Sequence, residues 1–400
     1  MPKVKNFEFP VVAVDKEEYS AIQNWIESHR TMVSGKKLYI FGAGIRGNMM
    51  LKFLEEAHMA VAGFCDNSIE KQGAFVREYS IFDPAEICDK PGENIILISP
   101  ENSGEIEKML IERGYVEDKN YFTIKNNTYY SYCQEFLRKG NIEYIFWGDC
   151  YFTDLDVDDL YSQSMGELVT DKLGMDKSKV LSVHGMCIPG FYYLMKMQIK
   201  MGIKPKVVAF IVNIPFCNTI QTKLPQSQHP ELFKMIQAGL PMQDSEFDRY
   251  VELAENRSHN INMKSFSTNS NATSRGEKYV EKLLTKTRYM YEYNEDNENI
   301  VYLKKMIELL KQNNIKPVPF IPALNYHTGI DFYGEDFKDR YCAICEQIKK
   351  CVKQYDVEVL DMSFLLEKEY YTGSRMTKFP NTDGKEKEIS LLCNRAQMEM

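Results

Sequence analysis

The stretch KLYIFGAGIRGNMMLKFLEEAHMAVAGFCDNS, Lys37–Ser68, decides how the first part of the chain folds. Lys37–Phe41 and Val61–Cys65 are short apolar runs, and helix-periodic sequence lies between them behind the turn GAGIRG. Strand, glycine turn, helix and strand in that order make the first half of a doubly wound sheet. Gly42 permits the tight turn, Gly44 lets a phosphate approach the backbone, and Gly47 lets helix and strand pack closely. Asp66 follows Gly44 by 22 residues, at the end of the second strand, where a ribose-binding acid belongs. Arg46 is either a phosphate partner at the helix N-terminus or a solvated first-turn residue. The ligand expected from these residues is a nucleotide or nucleotide-sugar of undefined identity. The competing reading is an interaction domain without a dinucleotide.

The pattern continues outward. Residues 16–34 read as an amphipathic helix, NIILISP at 94–100 as a third strand, and ENSGEIEKMLIERGY as the next helix. Periodicity fades between Tyr121 and Asn141, which sets the expected boundary: a Rossmann-like domain over 1–130 and a second α/β domain over 142–400. In the second half, apolar runs at IEYIFWGD, KVLSVHG, KVVAFIVNI, KPVPFIPAL and VEVLDMS alternate with helical patterns. That alternation predicts a mostly parallel, three-layer sheet. The polar segment 256–276 reads as a surface loop or a lid over a site.

The composition is 44% hydrophobic and 26% charged, with a net charge of −8 and no basic block, so nucleic acid is excluded as the expected partner. No apolar stretch approaches the roughly 20 residues of a membrane span, and the N-terminus lacks a signal-peptide pattern, so a cytoplasmic location is expected. The ten cysteines show no framework spacing. Cys342, Cys345 and Cys351 share one helical pattern without the partners of a tetrahedral metal site, so they read as core thiols and no metal is expected.

In FWGDCYFTD, a strand runs into Gly148, Asp149 and Cys150 ahead of a segment read as opening a helix. This is how several hydrolase folds present a nucleophile. A helix N-terminus there favours a thiolate, while Asp149, Asp154, Asp156, Asp158 and Asp159 disfavour it.

Over roughly residues 142–385 the second half resembles the SGNH (GDSL-like) hydrolases, which are flavodoxin-like. Gly148-Asp149-Cys150 stands in place of a Gly-Asp-Ser block, Gly185 in place of the second-block glycine, and Asn213 in place of the third-block asparagine. The resemblance implies a nucleophile at Cys150, with Gly185 and Asn213 helping to hold the oxyanion. It also implies an Asp and a His after the last strand. In KFPNTDGKEKEIS, Asp383 fills the aspartate's place, but no histidine follows His327, which reads as a surface imidazole. His184, beside Gly185, is then the candidate base. The tail after Asp383 reads as lacking the apolar helix that closes such folds. The first half is similar to small Rossmann-like domains of bacterial surface-polysaccharide and nucleotide-sugar enzymes, with Asp66-Asn67 ending the second strand.

Three functions compete. The first is an SGNH-like ester hydrolase or O-acyltransferase acting on a glycan or nucleotide-sugar. The second is a glycan or nucleotide-binding protein that keeps both folds without turnover. The third, an NAD(P)-dependent oxidoreductase, uses only the glycine turn.

Overall fold

The structure is a computed structural model that describes residues 6–7, 13–100, 103–124, 142–156, 159–160, 162–182, 185–218, 246–249, 277–371, 376 and 379–400. The described residues form two compact units, one within 1–127 and one within 128–400. Most of the expected boundary, and the whole 256–276 segment, lie outside the described residues.

In the first unit, β1 (Asn6–Phe7), β2 (Lys37–Phe41), β3 (Val61–Cys65), β4 (Phe75–Val76), β5 (Tyr79–Phe82), β6 (Asn94–Ile98) and β7 (Tyr121–Thr123) form one sheet in the order β1-β4-β5-β3-β2-β6-β7. Among these strands only the β4–β5 hairpin is antiparallel. The five parallel strands β5, β3, β2, β6 and β7 therefore run 3-2-1-4-5 in chain order, with β2 in the middle. Helices α1 (Lys16–Val33), α2 (Ile45–Glu56) and α3 (Gly104–Glu112) belong to this unit. All five residues of β6 are buried, as a parallel strand covered on both faces requires.

The second unit has β8 (Tyr144–Gly148), β9 (Ser178–Ser182), β10 (Val207–Ile211), β11 (Lys316–Ile321) and β12 (Leu360–Asp361), all parallel, in the order β9-β8-β10-β11-β12. This is 2-1-3-4-5, the flavodoxin-like order, and its switch point falls between β8 and β10. Every residue of β8 and of β10 is buried. The helices are α4 (Met165–Leu173), α5 (Ile188–Lys200), α6 (Glu277–Tyr289), α7 (Glu298–Gln312), α8 (Tyr326–Tyr333), α9 (Glu335–Lys353) and α10 (Thr382–Met398). α7 packs on α5, α9 and β11, while α10 packs on α4, β10 and β11. With the right-handed crossovers that parallel strands adopt as a rule, these two groups fall on opposite faces of the sheet, a three-layer arrangement.

Two expectations are corrected here. The tail after Asp383 is a closing helix after all: α10 buries Gly384, Lys385, Glu388, Ile389, Leu392, Cys393 and Ala396 along one stripe. Two charged residues on that stripe disguise it in the sequence. Lys385 is buried because its ammonium reaches Asp159 at 3.1 Å and Ser162 at 2.7 Å. The segment after Cys150 does not open a helix either, since it turns into the short strand Asp154–Asp156 and α4 begins only at Met165. Ser164 and Glu167 form the capping box that fixes that later start. No helix among the described residues is long and apolar enough to cross a membrane.

Candidate active site

The register of β8, β9 and β10 aligns Gly148 with Ser182 and Trp147 with Phe210, so the residues after these strands emerge along one edge of the sheet. Gly148 ends β8 because a Cβ there would sit 2.2 Å from the Phe152 ring. The chain then turns on Asp149. One carboxylate oxygen of Asp149 accepts the Tyr151 N–H at 3.0 Å, and the other accepts the Asn213 amide N–H at 2.5 Å. Ser182 Oγ bonds the Asp149 carbonyl, and the Asp154 N–H donates to the Cys150 carbonyl at 2.8 Å. Asp149 thus ties the ends of β8, β9 and β10 together and holds Cys150, half-buried, at the crest of the turn. Among the described residues of this segment no helix begins before Met165, so the helix N-terminus expected beside this thiol is not found there.

A cavity of about 140 Å³ opens at this edge, in the crevice outside the strand ends where open α/β sheets bind ligands. Asp149, Cys150, Tyr151 and Asn213 line it from β8 and β10, Pro322 and Ala323 from beyond β11, and Met376, Phe379, Pro380 and Glu388 from the C-terminal segment. Tyr289 and Tyr341 also reach it, and burial pushes the Tyr289 phenol up to about 12.

Glu388 is fully buried on α10. Its Oε1 accepts the Ala323 N–H at 2.6 Å. Neither its Oε2 nor the Tyr151 hydroxyl has a partner within hydrogen-bond distance among the described residues, although the two side chains are close enough to act on each other's ionisation. Burial pushes the carboxyl up to about 7, against the lowering effect of the Ala323 N–H and Tyr151. Burial likewise drives the Tyr151 phenol well above its ordinary value. Glu388 was not among the residues singled out from the sequence; the available signal was a carboxylate on the stripe shared by Ile389, Leu392 and Ala396.

Cys150 and Asn213 therefore meet in one cavity. Gly185, at φ +65°, follows β9 by three residues and is not among the cavity's lining residues. Asp383 is exposed in the first turn of α10, outside the cavity lining. His184 lies outside the described residues. His327, on α8, pairs with Glu367 at 3.3 Å and does not line the cavity. Among the described residues of the segment ahead of Asp383, the cavity wall is made of Met376, Phe379 and Pro380.

In the first unit, Gly42 takes φ +104°, and a Cβ on Gly47 would lie 2.1 Å from the Gly42 carbonyl oxygen, so both glycines are dictated by the turn. The polar side chains beside it are already engaged. Asp66 accepts the Ala43 N–H and the Ser68 N–H, each at 2.8 Å, and Lys71 Nζ at 2.9 Å. Arg46 bonds Glu18 and donates to the carbonyls of Ser99 at 2.9 Å and Ile124 at 3.2 Å.

A family model described as C2185-like, N-terminal, matches residues 34–121. No curated protein sequence matches the chain. Among solved structures, the chain is similar to a GDSL-like lipase from Bacteroides thetaiotaomicron VPI-5482 at 12% identity and a TM-score of 0.35, over 68% of this chain and 98% of that one. It is also similar to an inhibitor-bound aryl esterase from M. smegmatis at 8% identity and a TM-score of 0.29, over 65% of this chain and 100% of that one. Scores of this size decide nothing about the chemistry, which rests on the geometry above.

Proposed function

We propose that the second unit is an SGNH-like acyl-ester site, a hydrolase or O-acyltransferase acting on a glycan or nucleotide-sugar in bacterial surface-polysaccharide metabolism. The observation that carries this reading is the meeting of Cys150 and Asn213 in one cavity at the switch point of a 2-1-3-4-5 parallel sheet. In this reading the Cys150 sulfur attacks the ester carbonyl. Asn213 keeps one amide hydrogen beyond the one given to Asp149 and offers it to the developing oxyanion. His184 takes the thiol proton and returns it to the leaving alcohol. The first unit presents a nucleotide or nucleotide-sugar site at the start of α2. Its 3-2-1-4-5 strand order supports that role, with ligand contact made chiefly through backbone, because Arg46 and Asp66 are engaged within the protein.

A second reading, binding without turnover, is favoured by the apolar wall of Met376, Phe379 and Pro380. Hydrolysis of small acetyl esters separates the two. Turnover lost in Cys150→Ala and lowered about 10²–10⁴-fold in His184→Ala supports the acyl-ester reading. No turnover above buffer supports binding. Turnover that survives Cys150→Ala sinks both.

A further inference from the structure

The cavity has an unfinished end. Its lining is mostly apolar, yet Glu388 Oε2 and Tyr151 Oη are buried there without a hydrogen-bond partner among the described residues. The Tyr371 hydroxyl, also buried and unpartnered, lies close enough to feel the Glu388 charge. Buried polar atoms are satisfied in nearly all folded proteins, and leaving one unsatisfied is costly. Glu388 is not loose: the Ala323 N–H at 2.6 Å fixes its other oxygen, and α10 holds its backbone. A fixed carboxyl and a phenol that sense each other but stand beyond hydrogen-bond distance leave room for a bridging member, which belongs to a ligand.

We infer that this end of the cavity is a subsite for a hydroxyl group of the bound molecule, donating to Glu388 Oε2 and accepting from the Tyr151 hydroxyl. A hydroxyl carries a donor and acceptor lone pairs on a single atom, so it satisfies both groups at once. An ammonium offers donors only and cannot take the phenol's hydrogen, besides bringing a full charge into a largely apolar space. The volume of about 140 Å³ suits a group the size of a small ring or a short hydroxyacyl chain, close to the cavity that takes benzene in an engineered protein. The bound portion of the substrate is therefore small, neutral and hydroxylated, such as one edge of a sugar or a hydroxyacyl group. This rests on the reading of the cavity as the substrate cleft and does not require turnover.

The test uses protection of Cys150, which lines the same cavity. The full chain is alkylated with iodoacetamide in the presence of glycolamide or propionamide, which differ only in a hydroxyl replacing a methyl, and the Cys150 peptide is quantified by mass spectrometry. Glycolamide is expected to protect at concentrations about 10- to 100-fold lower than propionamide, the discrimination of one or two buried hydrogen bonds. Tyr151→Phe and Glu388→Met should each bring the two amides close to parity. Tyr151→Phe removes a single unpartnered oxygen, so it keeps the test valid if Glu388→Met fails to fold. Equal protection by the two amides in the wild type, no protection by either, or a preference that survives in Tyr151→Phe overturns the inference. Ester hydrolysis is scored separately, so absent turnover alongside a preserved glycolamide preference defeats the acyl-ester reading and leaves the subsite standing.

Discussion

The glycine turn of the first unit and the cavity of the second sit at equivalent places, the carboxyl ends of parallel strands, and they treat their polar side chains in opposite ways. At the turn, Asp66 has three partners and Arg46 has three, so the charges are spent on holding β3, α2 and the strand ends in place. In the cavity, Asp149 is spent in the same manner, but Glu388 and Tyr151 keep unpartnered oxygens. A closed network is architecture. An open one marks where ligand chemistry remains to be supplied. Side-chain type alone does not separate the two, because Asp66 and Glu388 are both buried carboxyls.

The sharpest way to break this contrast is Asp66→Ala. It leaves the Ala43 and Ser68 N–H groups and Lys71 without their acceptor, and should lower the unfolding free energy by about 3–4 kcal/mol, read from the denaturant midpoint. A loss within about 0.5 kcal/mol would mean the turn is not held by this carboxylate.

The next effect, slightly smaller, is on pH. Glu388 has its folded pKa raised from 4.5 to about 7, so the native state holds a proton the unfolded chain releases. The sign follows: this contribution favours folding fully below about 4.5 and is lost as pH rises toward about 7, by about 3 kcal/mol in total. Glu388→Gln should flatten that part of the stability profile relative to wild type, and superimposable slopes would place the titration elsewhere.

A smaller loss of about 2 kcal/mol is expected for Gly148→Ala, because the added methyl must displace the Phe152 ring that closes the turn under Cys150. Thermal melts of the two proteins measure it. At the bottom of the scale, Tyr151→Phe should stay within about 0.5 kcal/mol of wild type, since it removes a hydroxyl with no partner at hydrogen-bond distance among the described residues. A large loss there would show that the phenol is engaged and the cavity closed.

Local pattern alone determined much of this protein. The largely apolar runs of β6, β8 and β10 announced parallel strands covered on both faces, and their alternation with helices announced an α/β fold. Cys150 and Asn213 line one cavity because neighbouring parallel strands deliver the residues at their carboxyl ends to one edge. The short hairpin β4–β5 was missed, as runs of two and four residues carry no measurable period. What only the tertiary structure decided is the state of each polar group. The Asp149 turn does not become a helix: its carboxylate bonds the Tyr151 N–H and the Asn213 amide, and the chain passes on into the short strand Asp154–Asp156. Glu388 joined the cavity from 238 residues beyond Cys150, on a helix whose buried stripe carries two charges and so does not read as apolar. Protonation and unsatisfied hydrogen bonds depend on desolvation and on neighbours distant in sequence, and those quantities exist only once the chain has folded.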